Sequence, residues 1–133
     1  MMEEKQTEIS TLGEFGLIDR LTKDIEHVND STLTGVGDDC AVMSYKDTDV
    51  LVSTDLLVEG VHFDLTYVPL KHLGYKAAVV NFSDIYAMNG HPRQITVSLA
   101  ISKRFTVEHI EELYSGIRLA CEIYGVDLVG GDT

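Results

Sequence analysis

Apolar positions along the chain fall into two spacings, one helical and one alternating. Leu17, Ile18, Leu21 and Ile25 recur at helical intervals after Gly13-Glu14-Phe15-Gly16, which predicts a short amphipathic helix behind a polar, frayed stretch over residues 1–12. Leu33-Thr34-Gly35-Val36-Gly37-Asp38-Asp39 reads as a glycine-punctuated loop that ends in two acids and feeds a strand over residues 40–45. Lys46-Asp47-Thr48-Asp49 reads as a turn, and Val50-Leu51-Val52-Ser53-Thr54 as a strong strand that stops at Asp55. Residues 57–68 read as an extended segment holding Glu59-Gly60-Val61-His62-Phe63.

The second half is more regular. Pro69 opens a helix over residues 69–88, and Asn89-Gly90-His91-Pro92 supplies its cap and stop. Residues 94–102 alternate, with Ile95, Val97, Leu99 and Ile101 on one face and Thr96, Ser98 and Ala100 on the other, so they form a half-buried strand. A further helix covers residues 107–124, with Ile110, Leu113, Tyr114, Ile117, Ala120, Cys121 and Tyr124 on one stripe and Gly125 as its stop. A last strand over residues 126–129 ends at Gly130-Gly131-Asp132-Thr133. Four strands and three helices, without repeat, linker or low-complexity run, make a single α/β domain with a four-stranded sheet packed with helices. A turn such as Gly-Gly-Asp leads somewhere, so the chain reads as a piece of a longer protein.

Composition supports a globular domain and narrows its partners. Of 133 residues 44% are hydrophobic and 24% charged, enough for one core. The longest purely aliphatic run is Ala77-Ala78-Val79-Val80, far short of the ~20 residues a membrane span needs. Met1-Met2-Glu3-Glu4-Lys5 carries acid where a signal peptide carries base, so a cytoplasmic location is expected. With 22 acids against 10 Lys and Arg the net charge is −12, and the few bases are dispersed, which argues against nucleic acid and anionic membrane as partners. Cys40 and Cys121 lie in apolar stretches without Cys-x-x-Cys or Cys/His spacing, as expected of reduced, buried thiols.

The placement of the acids carries more than their number. Glu108, Glu111 and Glu112 sit on the outer face of a helix, but four other positions do not look like surface. Asp38-Asp39 and Asp132 follow glycines at strand–loop junctions, and Asp55 ends an apolar strand. Asp84 shares its helix between Leu73 and Met88 with Lys76 as the other charge, and Asn81 stands one turn before it. A helix apolar on nearly all sides is buried, and an unpaired buried carboxylate costs several kcal/mol or takes up a proton. Taken singly, Asp38-Asp39, Asp55 and Asp132 could be turn or cap residues, and Asp84 could pair with Lys76. Together they place carboxylates at the ends or centre of apolar elements, with hydroxyls at Ser53 and Thr54 and no base beside them in sequence. Hydrated Mg²⁺ shared with substrate phosphates neutralises such a set better than a salt-bridge network would.

Neither a P-loop nor a complete G-x-G-x-x-G is present, and no G-x-S-x-G nucleophile elbow occurs. Several segments instead resemble thiamine-monophosphate kinase: Gly13-Glu14-Phe15-Gly16-Leu17-Ile18, Gly35-Val36-Gly37-Asp38-Asp39-Cys40-Ala41-Val42, Ser53-Thr54-Asp55-Leu56-Leu57-Val58-Glu59-Gly60-Val61-His62-Phe63, Tyr75-Lys76-Ala77 through Asn81-Phe82-Ser83-Asp84, and Gly130-Gly131-Asp132-Thr133. The likeness runs from Gly13 to Thr133 in order. The Gly-Asp-Asp and Gly-Gly-Asp-Thr pieces are shared with aminoimidazole ribonucleotide synthetase and selenophosphate synthetase, whereas the block around Glu59-Gly60-Val61-His62 is particular to the kinase.

The resemblance implies transfer of the γ-phosphoryl group of ATP to the phosphate of thiamine monophosphate, giving thiamine diphosphate, with several Mg²⁺ ions. It implies metal binding at Asp39, Ser53, Thr54, Asp55, Asp84 and Asp132, with Asp38 a weaker candidate. His62 would touch the thiamine phosphate, and Tyr114, Gly131 and Asp132 would approach ATP. No residue is expected as a general base. It implies a homodimer in which two four-stranded sheets close into an eight-stranded barrel. Residues 1–133 would be the N-terminal ATP/Mg-binding and dimerisation domain, inactive without a C-terminal domain that this chain lacks. Two alternatives are a related synthetase that uses ATP to activate an amide oxygen or selenide, and a non-catalytic dimerisation or cation-binding module. Residues 1–39 lack the cysteine that a selenophosphate synthetase needs.

Overall fold

A computed structural model describes residues 6–58 and 68–133. Helix α1 (Ile9–Thr22) is followed by strands β1 (Thr32–Thr34), β2 (Ala41–Tyr45) and β3 (Thr48–Val52). Then come helix α2 (Leu70–Ala87), strand β4 (Gln94–Ser98), helix α3 (Val107–Tyr124) and strand β5 (Asp127–Asp132). The α/β class and the two long helices agree with the sequence reading. The sheet does not: instead of one four-stranded sheet, the described residues form an antiparallel sheet β1-β2-β3 and a separate parallel pair β4-β5.

The core lies where α2 and α3 pack on the β4-β5 pair. Ala78, Phe82, Ile117, Ala120, Cys121 and Val126 are buried, with Tyr75, Val79, Ile95, Val97 and Leu113 half-buried against them. The helices cross at two reciprocal glycines. A Cβ on Gly74 would overlap the Leu113 carbonyl oxygen, and one on Gly116 would overlap the Lys71 carbonyl oxygen. Tyr124 lies 5.5 Å from the Phe82 ring and 6.3 Å from Tyr86 by centroid, and its hydrogen bond with Tyr75 raises the Tyr75 phenol above its ordinary pKa.

Local chemistry sets the helix ends. Thr106 caps α3 by accepting from the His109 amide at 3.2 Å, while His109 Nδ1 accepts from the Thr106 amide at 3.1 Å, a capping box with histidine in place of Glu or Gln. Gly125 ends α3 in a left-handed conformation, φ 68°. Helix α1 begins earlier than the apolar spacing suggests, at Ile9, because Gly13 (φ 70°, ψ −178°) links a short first turn to the rest. None of α1 is buried, and Leu21 and Ile25 are exposed rather than packed on one stripe.

Strand β5 runs through Gly130-Gly131 instead of turning there. Gln94 pairs with Asp127 and Ser98 with Asp132, with an irregularity after Ile95 that leaves Val129 as the extra residue. Gly131 lies at φ 154°, where a Cβ would overlap the Val97 carbonyl, so this close strand approach requires glycine. β4 stops at Ser98, earlier than the alternation suggests, although the Leu99 amide still donates to the Asp132 carbonyl at 2.9 Å.

β2 and β3 are joined at Lys46-Asp47, with Lys46 at φ 57°. Their register, Ala41 opposite Val52 and Met43 opposite Val50, puts these four side chains on one face. Leu51 points to the other face, where its methyl group lies over Gly90 beside Ile85 at the end of α2. β1, a strand absent from the sequence reading, adds to β2 through Thr32 opposite Met43.

Candidate functional site

The antiparallel sheet meets α2 at one polar node. The chain leaves β3 at Val52, so Ser53 follows Leu51 in pointing toward α2. Its hydroxyl lies 3.1 Å from the Asp39 carbonyl and 3.4 Å from Asp84 Oδ2. With a single proton it donates to one of these acceptors at a time. Next to it Cys40, 2% exposed, donates its thiol to the Asp84 carbonyl at 3.3 Å. The Asp38 carboxylate accepts from the Asp39 amide at 2.8 Å and steadies the turn after Gly37.

Residues 31 and 44 positions away from Asp84 thus converge on it, and Asp38, Asp39 and Asp84 share one neighbourhood. The Cys40 thiol reports this: burial first, then the negative charges of Asp84, Asp39 and Asp38, raise it above its ordinary pKa, against the lowering effect of the Ser53 hydrogen bond. Cys40 therefore remains a protonated donor. In sequence it reads only as a buried thiol in an apolar stretch. Its position directly after two acids is the signal for a polar contact. Asp84 itself is half-buried, more open than an all-round apolar helix suggests, with Asn81 turned back to the Ala77 carbonyl at 2.8 Å.

Thr54 and Asp55 are exposed beyond β3. Asp55 and Asn81 line a cavity of about 520 Å³ whose other walls are largely apolar, from Leu73 and Ala77 of α2, Ile95 and Val97 of β4, and Leu113 and Ile117 of α3. Asp132 ends β5 opposite Ser98, just after Gly131. Tyr114 is half-buried on α3 in an open apolar dimple with Ile101, Phe105 and Ile110. His62 and Glu59 lie outside the described residues. Among the described residues no three His, Cys, Asp or Glu side chains form a cage for a metal ion. The Asp84 carboxylate, the Asp39 carbonyl and the Ser53 hydroxyl at the node are nonetheless hard oxygen donors of the kind Mg²⁺ takes, since it keeps several waters and completes its shell with substrate phosphates.

Residues 37–133 match the family model for the N-terminal domain of AIR synthase related protein. The chain belongs to the AIR synthase related family. The matched stretch begins at Gly37 and so takes in the Asp38-Asp39 turn, Ser53, Asp84 and the Gly131-Asp132 end of β5. Within the wider set of AIR synthase related proteins, the chain is 40% identical over 93% of its length to a thiamine-monophosphate kinase of Aquifex aeolicus. It is 41% identical over 92% of its length to the thiamine-monophosphate kinase of Bacillus subtilis. It spans 38% of the length of each. A solved structure, AaThiL complexed with AMPPCP and TMP, superposes with a TM-score of 0.84 at 38% identity, covering 97% of this chain and 40% of that one. Among the described residues no helix is long and apolar enough to cross a membrane.

Proposed function

We propose that this chain is the N-terminal part of a thiamine-monophosphate kinase, which transfers the γ-phosphoryl group of ATP to the phosphate of thiamine monophosphate. The observation that carries this reading is the likeness to AaThiL, which covers nearly the whole chain in a structure holding an ATP analogue and TMP together. Phosphoryl transfer asks a protein chiefly for positioning and charge neutralisation. The acceptor is itself a phosphate whose second pKa lies near ~6, so it is already anionic at neutral pH and needs no general base.

Asp39, Asp84 and Ser53 would hold Mg²⁺ at the node, with Thr54, Asp55 and Asp132 extending the donor set toward the phosphates. Bound there, Mg²⁺ would neutralise two anions that the protein's own charge of −12 would otherwise repel. Gly131 and Asp132 at the end of β5 would line the ATP phosphates, Tyr114 would approach the nucleotide from α3, and His62 would touch the thiamine phosphate. The test is direct: the full-length protein incubated with ATP, Mg²⁺ and thiamine monophosphate should form thiamine diphosphate and ADP in equal amounts. ATP turnover without phosphorylation of this acceptor would overturn the reading. His62→Ala should raise the KM for thiamine monophosphate by about tenfold or more, as loss of a charge-assisted contact does, and leave that for ATP within about twofold. Equal effects on both constants would remove His62 from the substrate site.

The same reading includes a homodimer. Ala41, Met43, Val50 and Val52 form an apolar sheet face, and Val50 and Val52 are 37% and 48% exposed. A second copy placed against this face would bury it and could close the two sheets into a barrel. Sedimentation at micromolar concentration should give twice the monomer mass, and Val52→Asp should yield a folded monomer. A wild-type monomer would overturn the dimer without touching the chemistry.

A further inference from the structure

At the end of α2 the backbone leaves Asp84 without its regular helical partner. In a continuing helix the Met88 amide would donate to the Asp84 carbonyl, but here it donates to the Ile85 carbonyl at 3.2 Å, and the Asn89 amide donates to Tyr86 at 2.9 Å. Asp84 O is therefore one of the last-turn carbonyls that need a donor from elsewhere. The Cys40 thiol is that donor, at 3.3 Å, from a residue 2% exposed and adjacent in sequence to Asp39. On the side-chain side of the same residue, Ser53 reaches Asp84 Oδ2 and the Asp39 carbonyl. The Cys40 thiol thus joins the helix end to the residue after the acidic turn, while the Ser53 hydroxyl donates either to Asp84 Oδ2 or to the Asp39 carbonyl.

We propose that Cys40 is a positioning residue: its thiol ties the last turn of α2 to the loop carrying Asp39, so that the Asp39 and Asp84 carboxylates face one divalent cation. Cys40 touches neither cation nor substrate and acts through Asp84. The proposal rests on the reading of Asp39 and Asp84 as Mg²⁺ ligands. A thiol in this place supplies a donor and competes little for a hard cation.

The test is a Mg²⁺ titration of the full-length protein at saturating AMPPCP, read as heat of binding and as the rise in melting temperature, with no turnover required. Cys40→Ala should raise half-saturating Mg²⁺ by about fivefold, the worth of one modest hydrogen bond, while Cys40→Ser, which keeps a donor, should stay within about twofold. Cys121→Ala serves as the structural control: it empties a comparable core position, lowers the melting temperature, and should leave Mg²⁺ affinity unchanged. If Cys40→Ala binds Mg²⁺ like the wild type, or if Cys40→Ser is as impaired as Cys40→Ala, the positioning role is wrong. If Cys121→Ala weakens Mg²⁺ binding as much as Cys40→Ala, the effect is general loosening and the role is again wrong. If the wild type itself binds no Mg²⁺ while Asp84→Asn behaves identically, the metal reading beneath the proposal falls, which distinguishes the two failures.

Discussion

On the proposed kinase reading, Asp84→Asn in the full-length protein is expected to lower turnover of thiamine monophosphate by about a hundredfold or more, the scale on which losing one preorganised electrostatic group acts on a transition state. Its melting temperature without metal should stay the same or rise. Both halves follow from the node around Ser53. Asparagine keeps an oxygen in place of Oδ2, so the Ser53 hydroxyl at 3.4 Å retains an acceptor. The Cys40 bond goes to the backbone carbonyl and is untouched. What disappears is one of the negative charges that Asp38, Asp39 and Asp84 crowd around Cys40, and like charges destabilise one another when no cation separates them. The measurement pairs kcat at saturating Mg²⁺ with a thermal melt in chelator. Near-normal turnover would remove Asp84 from the proposed Mg²⁺ ligands, and a large drop in melting temperature would make it a structural residue.

The elements closest to fixed local chemistry were legible in the sequence. Pro69 and the Asn89-Gly90 stop bracket α2, and Gly125 ends α3, because proline fixes its own φ while asparagine and glycine tolerate the left-handed turn that ends a helix, whatever surrounds them. Alternation gave the inward face of β4 correctly at Ile95 and Val97, since side-chain direction in a strand depends only on parity, whereas Ile101, expected on the same face, lies beyond β4 and is exposed. Pairing was not legible. Parity says which residues share a face and nothing about which strand lies alongside, so a single four-stranded sheet was expected where β1-β2-β3 and β4-β5 stand apart.

Glycine misled in both directions. Gly130-Gly131 reads as a turn, yet β5 continues through it because Gly131 admits the Val97 carbonyl. Gly13 reads as a helix start, yet a helical turn precedes it. The acids at Asp38-Asp39 and Asp84 stood out as poor surface candidates, but their meeting point did not. Ser53 and Cys40 reach Asp84 across 31 and 44 residues, and such contacts are set by how the sheet docks on α2, through Leu51 against Gly90 and Ile85.

The α2–α3 crossing holds Asp84 and Tyr114 on one rigid unit, and it rests on two residues without side chains. Gly116→Val should destabilise the domain by about 3 kcal/mol or more, as overpacking against fixed backbone does at its upper range. A Cβ there would overlap the Lys71 carbonyl, and neither partner can move aside as a flexible side chain would. Gly116→Ala separates this steric effect from helix propensity. In an open helix, glycine to alanine gains up to about 1 kcal/mol. Gly16 supplies that comparison: no residue of α1 is buried, and a new Cβ would meet only the Leu12 side chain, at 3.3 Å. Urea unfolding should therefore show Gly16→Ala neutral or stabilised and Gly116→Ala destabilised, with Gly74→Ala matching it from the other helix because its Cβ would overlap the Leu113 carbonyl. If Gly116→Ala were as stable as the wild type, the helices would not approach this closely, and the placement of Asp84 relative to Tyr114 would have to rest on other contacts.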